Sequence, residues 1–101
     1  TGLVHNSGAT ALAVRTLPAA GNGKSYTYYV LDADGIKIQA GAGDTIRVIT
    51  KVTASAGFVQ STTIGSTITL VAVGSVWAAI SVHGNWTDGT FTYNDTTLLT
   101  P

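Results

Sequence analysis

Cysteine, methionine and glutamate are all absent from the 101-residue sequence. Without cysteine there is no disulfide, no thiolate nucleophile and no cysteine-ligated zinc. The redox compartment leaves no trace in the chain. The five acidic residues are all aspartates, so the distal glutamate that completes an EF-hand calcium loop is missing. Charged residues make up 10% and balance to zero. A chain with no basic excess lacks the electrostatic footprint of a nucleic-acid binder. No apolar run approaches the roughly 20 residues of a membrane-spanning helix. No basic stretch followed by an apolar one opens the chain as a secretory signal would. The missing initial methionine implies a processed, trimmed or partial chain.

What remains is 45% hydrophobic, which together with the low charge argues against disorder, and the length fits one domain. Threonine leads with 17 residues, followed by alanine with 13, glycine with 12 and valine with 10. β-Branched side chains suit pleated, half-buried surfaces and are mediocre in helices. The usual solvent-facing helix residues are nearly missing. The composition therefore predicts an all-β chain.

Alternation and turn residues place the strands. Leu12, Val14 and Thr16 fall at period 2, and Pro18 ends that run because it has no N–H to donate. Tyr26–Leu31 is the clearest strand. The Asp34-Gly35 pair after it predicts a type I′ hairpin returning through Ile36–Ala40, with Ile36, Ile38 and Ala40 inward. After the turn at Gly41–Asp44, Thr45–Thr50 puts Ile46 and Val48 inward. Lys51–Thr53 is expected to continue it beyond a bulge near Ile49. Ala54–Gly57 reads as small and flexible, and Phe58–Thr63 as a short strand. Thr67–Val73 turns back through Gly74-Ser75, a type II′ signal, into Val76–Val82. The best inward set there is Val76, Ala78, Ile80 and Val82, which puts Trp77 on the other face. Asp88-Gly89 begins another turn, Thr90–Tyr93 alternates, and Asn94–Pro101 reads as an arm. The expectation is an antiparallel β-sandwich or barrel-like domain of seven to eight short strands. A β domain spans 1–87, and a C-terminal hairpin or arm spans 88–101.

No constellation of reactive residues stands out. His5 and His83 lie far apart with no metal-ligand spacing. Asp32 and Asp34 fit a turn better than a calcium loop. Neither carboxylate has a partner placed across a cleft for glycoside hydrolysis. No Gly-x-Ser-x-Gly elbow occurs. Gly21-Asn22-Gly23 and Gly41-Ala42-Gly43 are not followed by a helix pattern that would cradle phosphate. Asn85-Trp86-Thr87 and Asn94-Asp95-Thr96 match the glycosylation acceptor pattern, which has meaning only on a eukaryotic secretory route. The aromatics Tyr26, Tyr28, Tyr29, Phe58, Trp77, Trp86, Phe91 and Tyr93 are material for a sugar platform or for a core. For Tyr28, Trp77 and Trp86 the core or an interface is the expected place. No catalytic, cofactor-binding or metal-binding residue is assigned, and the chain does not read as an enzyme.

Thr16-Leu17-Pro18-Ala19-Ala20, a glycine and Tyr26-Thr27-Tyr28 begin a longer pattern. It continues through Ile38-Gln39-Ala40, Asp44-Thr45-Ile46 and Gly65-Ser66-Thr67-Ile68-Thr69-Leu70-Val71-Ala72, and closes with the Trp77 strand and Gly84-Asn85-Trp86-Thr87. Over residues 6–87 this resembles a small β domain of tailed-bacteriophage virion proteins, found in tail fibres, spikes and short free-standing structural proteins. The resemblance implies a virion location, on the capsid surface or the tail, and a homotrimer. It carries over no catalytic residue. The short length then points to a capsid decoration (cement) protein that binds and stabilises the assembled head. Its partners would be itself and the major capsid protein or another virion protein, with neither nucleic acid nor membrane involved. The alternative is a tail-fibre or spike module for a receptor or glycan, with Trp77, Trp86 and tyrosines near the sugar. Physics is compatible with assembly: short side chains lose little rotamer entropy when fixed, and strands apolar on both faces (26–31 and 76–82) call for cover that a neighbouring copy can supply.

Overall fold

The abundance of threonine, valine and isoleucine is realised as strands alone. The computed structural model describes residues 3–8, 10–21, 23–48, 51–89 and 92–95, and among these there is no helix. The strands are β1 (Leu3–His5), β2 (Ala13–Thr16), β3 (Ser25–Tyr29), β4 (Ile36–Gln39), β5 (Thr45–Val48), β6 (Lys51–Val52), β7 (Phe58–Ser61), β8 (Thr67–Val73), β9 (Val76–Thr87) and β10 (Thr92–Asp95). Eight of them have four residues or more.

They form one curled, mixed sheet, ordered β1-β3-β8-β9-β7-β4-β2, with β5 and β10 also on β9 and β6 on β5. The all-β expectation holds, but the purely antiparallel arrangement does not. β1 runs parallel to β3, β2 to β4 and β5 to β9. The reason lies at Asp32–Gly35. Type I′ geometry needs positive φ at both central residues, and Asp34 is not among the residues with positive φ. The turn closes instead through the Gly35 amide on the Asp32 carbonyl at 3.0 Å. It carries the chain out of one half of the sheet and into the other, so β3 pairs with β1 and β8 while β4 pairs with β2 and β7.

The Gly74-Ser75 hairpin does form. Val73 pairs with Val76, and Gly74 takes φ 62, the positive first position of a type II′ turn. Lys51-Val52 does not extend β5 past a bulge. It folds back on it, with Arg47 opposite Val52 and Val48 opposite Lys51. Ile49 and Thr50 lie outside the described residues.

β9 joins the two halves. Of its first eight residues, Val76–His83, all but Ile80 pair with β8, and Val76–Ala78 also pair with β5. Its last four pair with β10, and Thr87 also meets Gln60 of β7. The hydrophobic core gathers on the concave side from both halves: Ile36, Ile38 and Val59 from one, Tyr28, Ile46, Ile68, Leu70, Trp77 and Val82 from the other, and Trp86 near the end of β9.

The inward set on β9 differs from the expected Val76, Ala78, Ile80 and Val82. Trp77 is fully buried, whereas Ile80 is 68% exposed. The register slips by one residue between the Leu70–Ala79 and Thr69–Ser81 pairs, which makes Ile80 the extra residue of a β-bulge. The bulge reverses the alternation, so Trp77 and Val82, an odd number of residues apart, both point inward. The period-2 residues at β2 lie on its exposed side, Leu12 included. Val14 is exposed, while Leu17, just past the strand, is buried.

Candidate functional site

A reactive site would draw on the buried polar side chains. Asn6 is almost fully buried, and its amide is fully used. Its oxygen accepts the amides of Leu31 (2.7 Å) and Asp32 (2.9 Å), and its nitrogen donates to the carbonyls of Asp32 and Gly35, both at 3.0 Å. Asp44 accepts the Ala20 amide at 2.9 Å and so ties the 17–21 segment to the turn before β5. Thr53 accepts the Ile46 amide at 3.1 Å and donates to the Ala54 carbonyl at 2.9 Å. Ser66 accepts the Asn85 amide at 3.1 Å, and Ser61 accepts that of Thr63 at 3.2 Å. Each of these side chains serves a backbone. Buried polar groups need such partners, and here the partners are strand and turn amides.

The residues singled out in the sequence do not converge. His5 Nδ1 accepts the Ser7 amide at 3.2 Å, and His83 Nε2 lies 3.0 Å from Ser81 Oγ. The two histidines close opposite ends of one cross-strand row, His5–Tyr29–Thr67–His83, about 14 Å apart at the usual strand spacing. Asp32 Oδ1 accepts the Asp34 amide at 3.0 Å, as in an Asx turn. Among the described residues no three histidines or aspartates cluster as metal ligands do.

Tyr28, Trp77 and Trp86 sit in the core, as expected. Trp86 Nε1 donates to the carbonyls of Thr67 and His83 at 3.0 and 3.2 Å. Trp77 packs its ring 5.7 Å from that of Tyr26, and its Nε1 has no hydrogen-bond partner. Neither indole is open to stack on a sugar. Tyr29 is exposed, Phe58 lies under Lys37 Nζ at 4.4 Å from the ring centre, and Phe91 lies outside the described residues.

Burial pushes the Tyr28 phenol from its usual 10 up to about 12; the neighbouring Tyr26 phenol adds to the rise and Arg15 opposes it. The folded protein therefore favours the protonated phenol. Stability from this site is full below pH 10 and is lost as the pH climbs through about 12. Urea midpoints measured across that interval are expected to fall, and Tyr28→Phe is expected to flatten the fall. An equally steep fall in the variant would place the alkaline sensitivity elsewhere.

One cavity of about 220 Å³ opens where β7, the loop after it, the end of β9 and β10 meet. It is lined by Gln60, Ser61, Thr62, Thr63, Asn85, Thr87 and Thr92. Every lining side chain is a neutral amide or hydroxyl. Such a lining suits an uncharged polar ligand and offers no general acid, base or nucleophile–base pair. Sequence reading passes over it because its residues come from three separate segments. Comparison with protein-family models, curated proteins and solved structures finds no match.

Proposed function

We propose that the chain is a structural protein of a bacteriophage virion, a decoration protein that binds the assembled head and stabilises it. The observation that carries this reading is the use made of buried polarity. Asn6, Asp44, Thr53, Ser61 and Ser66 all hold backbone segments in place, and of the five only Ser61 borders the cavity. That is the economy of a part that must keep its shape. The resemblance of residues 6–87 to phage virion β domains supplies the setting, and the neutral surface chemistry suits close packing in a shell. Binding only the assembled form stabilises that form by mass action.

The cavity beside Asn85 favours a second reading, a tail-fibre or spike module that takes a neutral glycan. In that case the sugar would be held by amides and hydroxyls, since Trp77 and Trp86 are enclosed. Gold-labelled antibody on purified particles separates the two. Label spread over the head in many copies is the expected result. Label confined to the tail would transfer the proposal to the fibre reading, and particles without label would end both.

A further inference from the structure

β7 and β9 come together at a single described pair, Gln60 opposite Thr87. Past it the strands part. β7 ends at Ser61, and the chain leaves through turns. There Ser61 Oγ accepts the Thr63 amide at 3.2 Å, and the Thr63 carbonyl accepts the Ser66 amide at 3.1 Å. On the other side of the gap the Asn85 amide goes to Ser66 Oγ at 3.1 Å instead of to β7. The cavity of about 220 Å³ lies between the parted strands, and β10 walls it with Thr92, opposite Thr87. Two side chains in this gap differ from their counterparts elsewhere. Asn6 and Gln39 commit their amides to backbone groups. Gln60 and Asn85, both half-buried, hydrogen-bond through their side chains to none of the described residues. Each such amide carries two donors and an acceptor that need partners.

We propose that this gap is a binding site for one uncharged sugar residue, held by Gln60 and Asn85. The lining selects that class. No Lys, Arg, His, Asp or Glu borders the cavity, and an ion enclosed without a countercharge is costly. No aromatic ring borders it either, so a nucleobase would find nothing to stack on. An apolar ligand would strip water from amides and hydroxyls and give them no partner. A sugar hydroxyl both donates and accepts, as every lining side chain does. Neighbouring hydroxyls of one ring can therefore take the carbonyl and the NH2 of one amide together. The size agrees as well. The volume falls below the roughly 300–1,000 Å³ of sites for drug-sized ligands, which suits a single ring.

The inference deepens the fibre reading and rests on it only for its biological setting. Its test is an NMR titration that follows the side-chain NH2 signals. The probes are the methyl glycosides of glucose, galactose and mannose, and N-acetylglucosamine. At least one is expected to shift the Gln60 and Asn85 signals, with a dissociation constant in the millimolar range that suits a ligand of about a dozen heavy atoms. The Asn6 and Gln39 signals are expected to stay in place. Glucuronate, which carries a carboxylate, and cyclohexanol, a ring with a lone hydroxyl, are expected to move neither amide. Gln60→Leu and Asn85→Leu are each expected to weaken binding by about 10-fold. Ser55→Ala, at an exposed position away from the gap, is expected to leave it unchanged. Far-UV circular dichroism checks that each variant is folded; where one is not, the wild-type shift pattern decides alone. Maltose against glucose, and lactose against galactose, separate the end of a longer glycan from a free sugar. No shift from any neutral sugar well above the millimolar range would overturn the proposal. So would equal shifts from cyclohexanol or glucuronate, or folded leucine variants that bind as the wild type does. Sugar binding by a protein that labels heads keeps the site and removes the fibre reading; tail-bound protein whose amides no sugar moves does the reverse.

Discussion

Asn6→Ala is expected to lower folding stability by about 3–5 kcal/mol, read as a lower urea midpoint with an unchanged slope. The side chain is 4% exposed and makes four hydrogen bonds. Removing it leaves the amides of Leu31 and Asp32 without partners, while the carbonyls of Asp32 and Gly35 keep the amides of Gly35 and Ala13. Each buried group left unpaired costs about 1–3 kcal/mol, and some will recover water. The loss is a large share of the roughly 5–15 kcal/mol a domain holds in reserve. Asn6→Asp keeps the accepting oxygens but points a carboxylate at two carbonyls, so it is expected to be destabilising as well. A cost under about 1 kcal/mol for Asn6→Ala would show that the turn at 32–35 holds itself.

Gly84→Ala is expected to cost about as much, for a different reason. Gly84 sits within β9 at φ 87, in the left-handed region, which an L residue enters at a cost of about 1–2 kcal/mol. A methyl group there would also lie 2.8 Å from Ser66 Cβ and 2.9 Å from Ser66 Cα. Ser66 has no room to retreat. It is 1% exposed, its hydroxyl holds the Asn85 amide, and its carbonyl accepts the Val30 amide at 2.9 Å. Strain and overpacking together are expected to remove about 3–5 kcal/mol. A double-mutant cycle with Ser66→Gly checks the cause. Removing the serine side chain relieves the Cβ clash but neither the Cα approach nor the φ, so only part of the loss is expected to return. Full recovery would assign the whole effect to the side chain, and no recovery would assign it to the backbone.

Period-2 alternation made much of the core legible. Ile36, Ile38, Ile46, Val48, Ile68, Leu70 and Ala72 are all inward as read. Gly74-Ser75 was legible because a two-residue loop leaves few geometries. What alternation does not show is where parity changes. The bulge at Ile80 follows no glycine or proline, so alternation alone puts Trp77 and Ile80 on the wrong faces. The reversal between β5 and β6 likewise has no turn residue to announce it. Asp34-Gly35 carried a strong local signal that tertiary pairing overrode: Asn6, 26 residues away from Asp32, holds the turn in another geometry. Ala54–Gly57, read as flexible, is pinned by the Ala56 amide on the Asp44 carbonyl at 2.9 Å and by the Gln39 side chain on the Ala56 carbonyl. Local sequence carries propensity, while the buried polar clamps depend on long-range contacts that no short window contains. The cavity beside Asn85 was invisible for the same reason.

The sharing of β9 between both halves of the sheet has a consequence for how the molecule is made. A ribosome delivers β1 to β8 before β9 exists. Until β9 emerges, β5 lacks its parallel neighbour, β8 lacks one of its two, and the half that holds β4 and β7 has no strand pairing with the half that holds β3. The half with β3, β5 and β8 stays incomplete until then. The nascent chain therefore commits to its final form only once this late ribbon emerges and joins both halves.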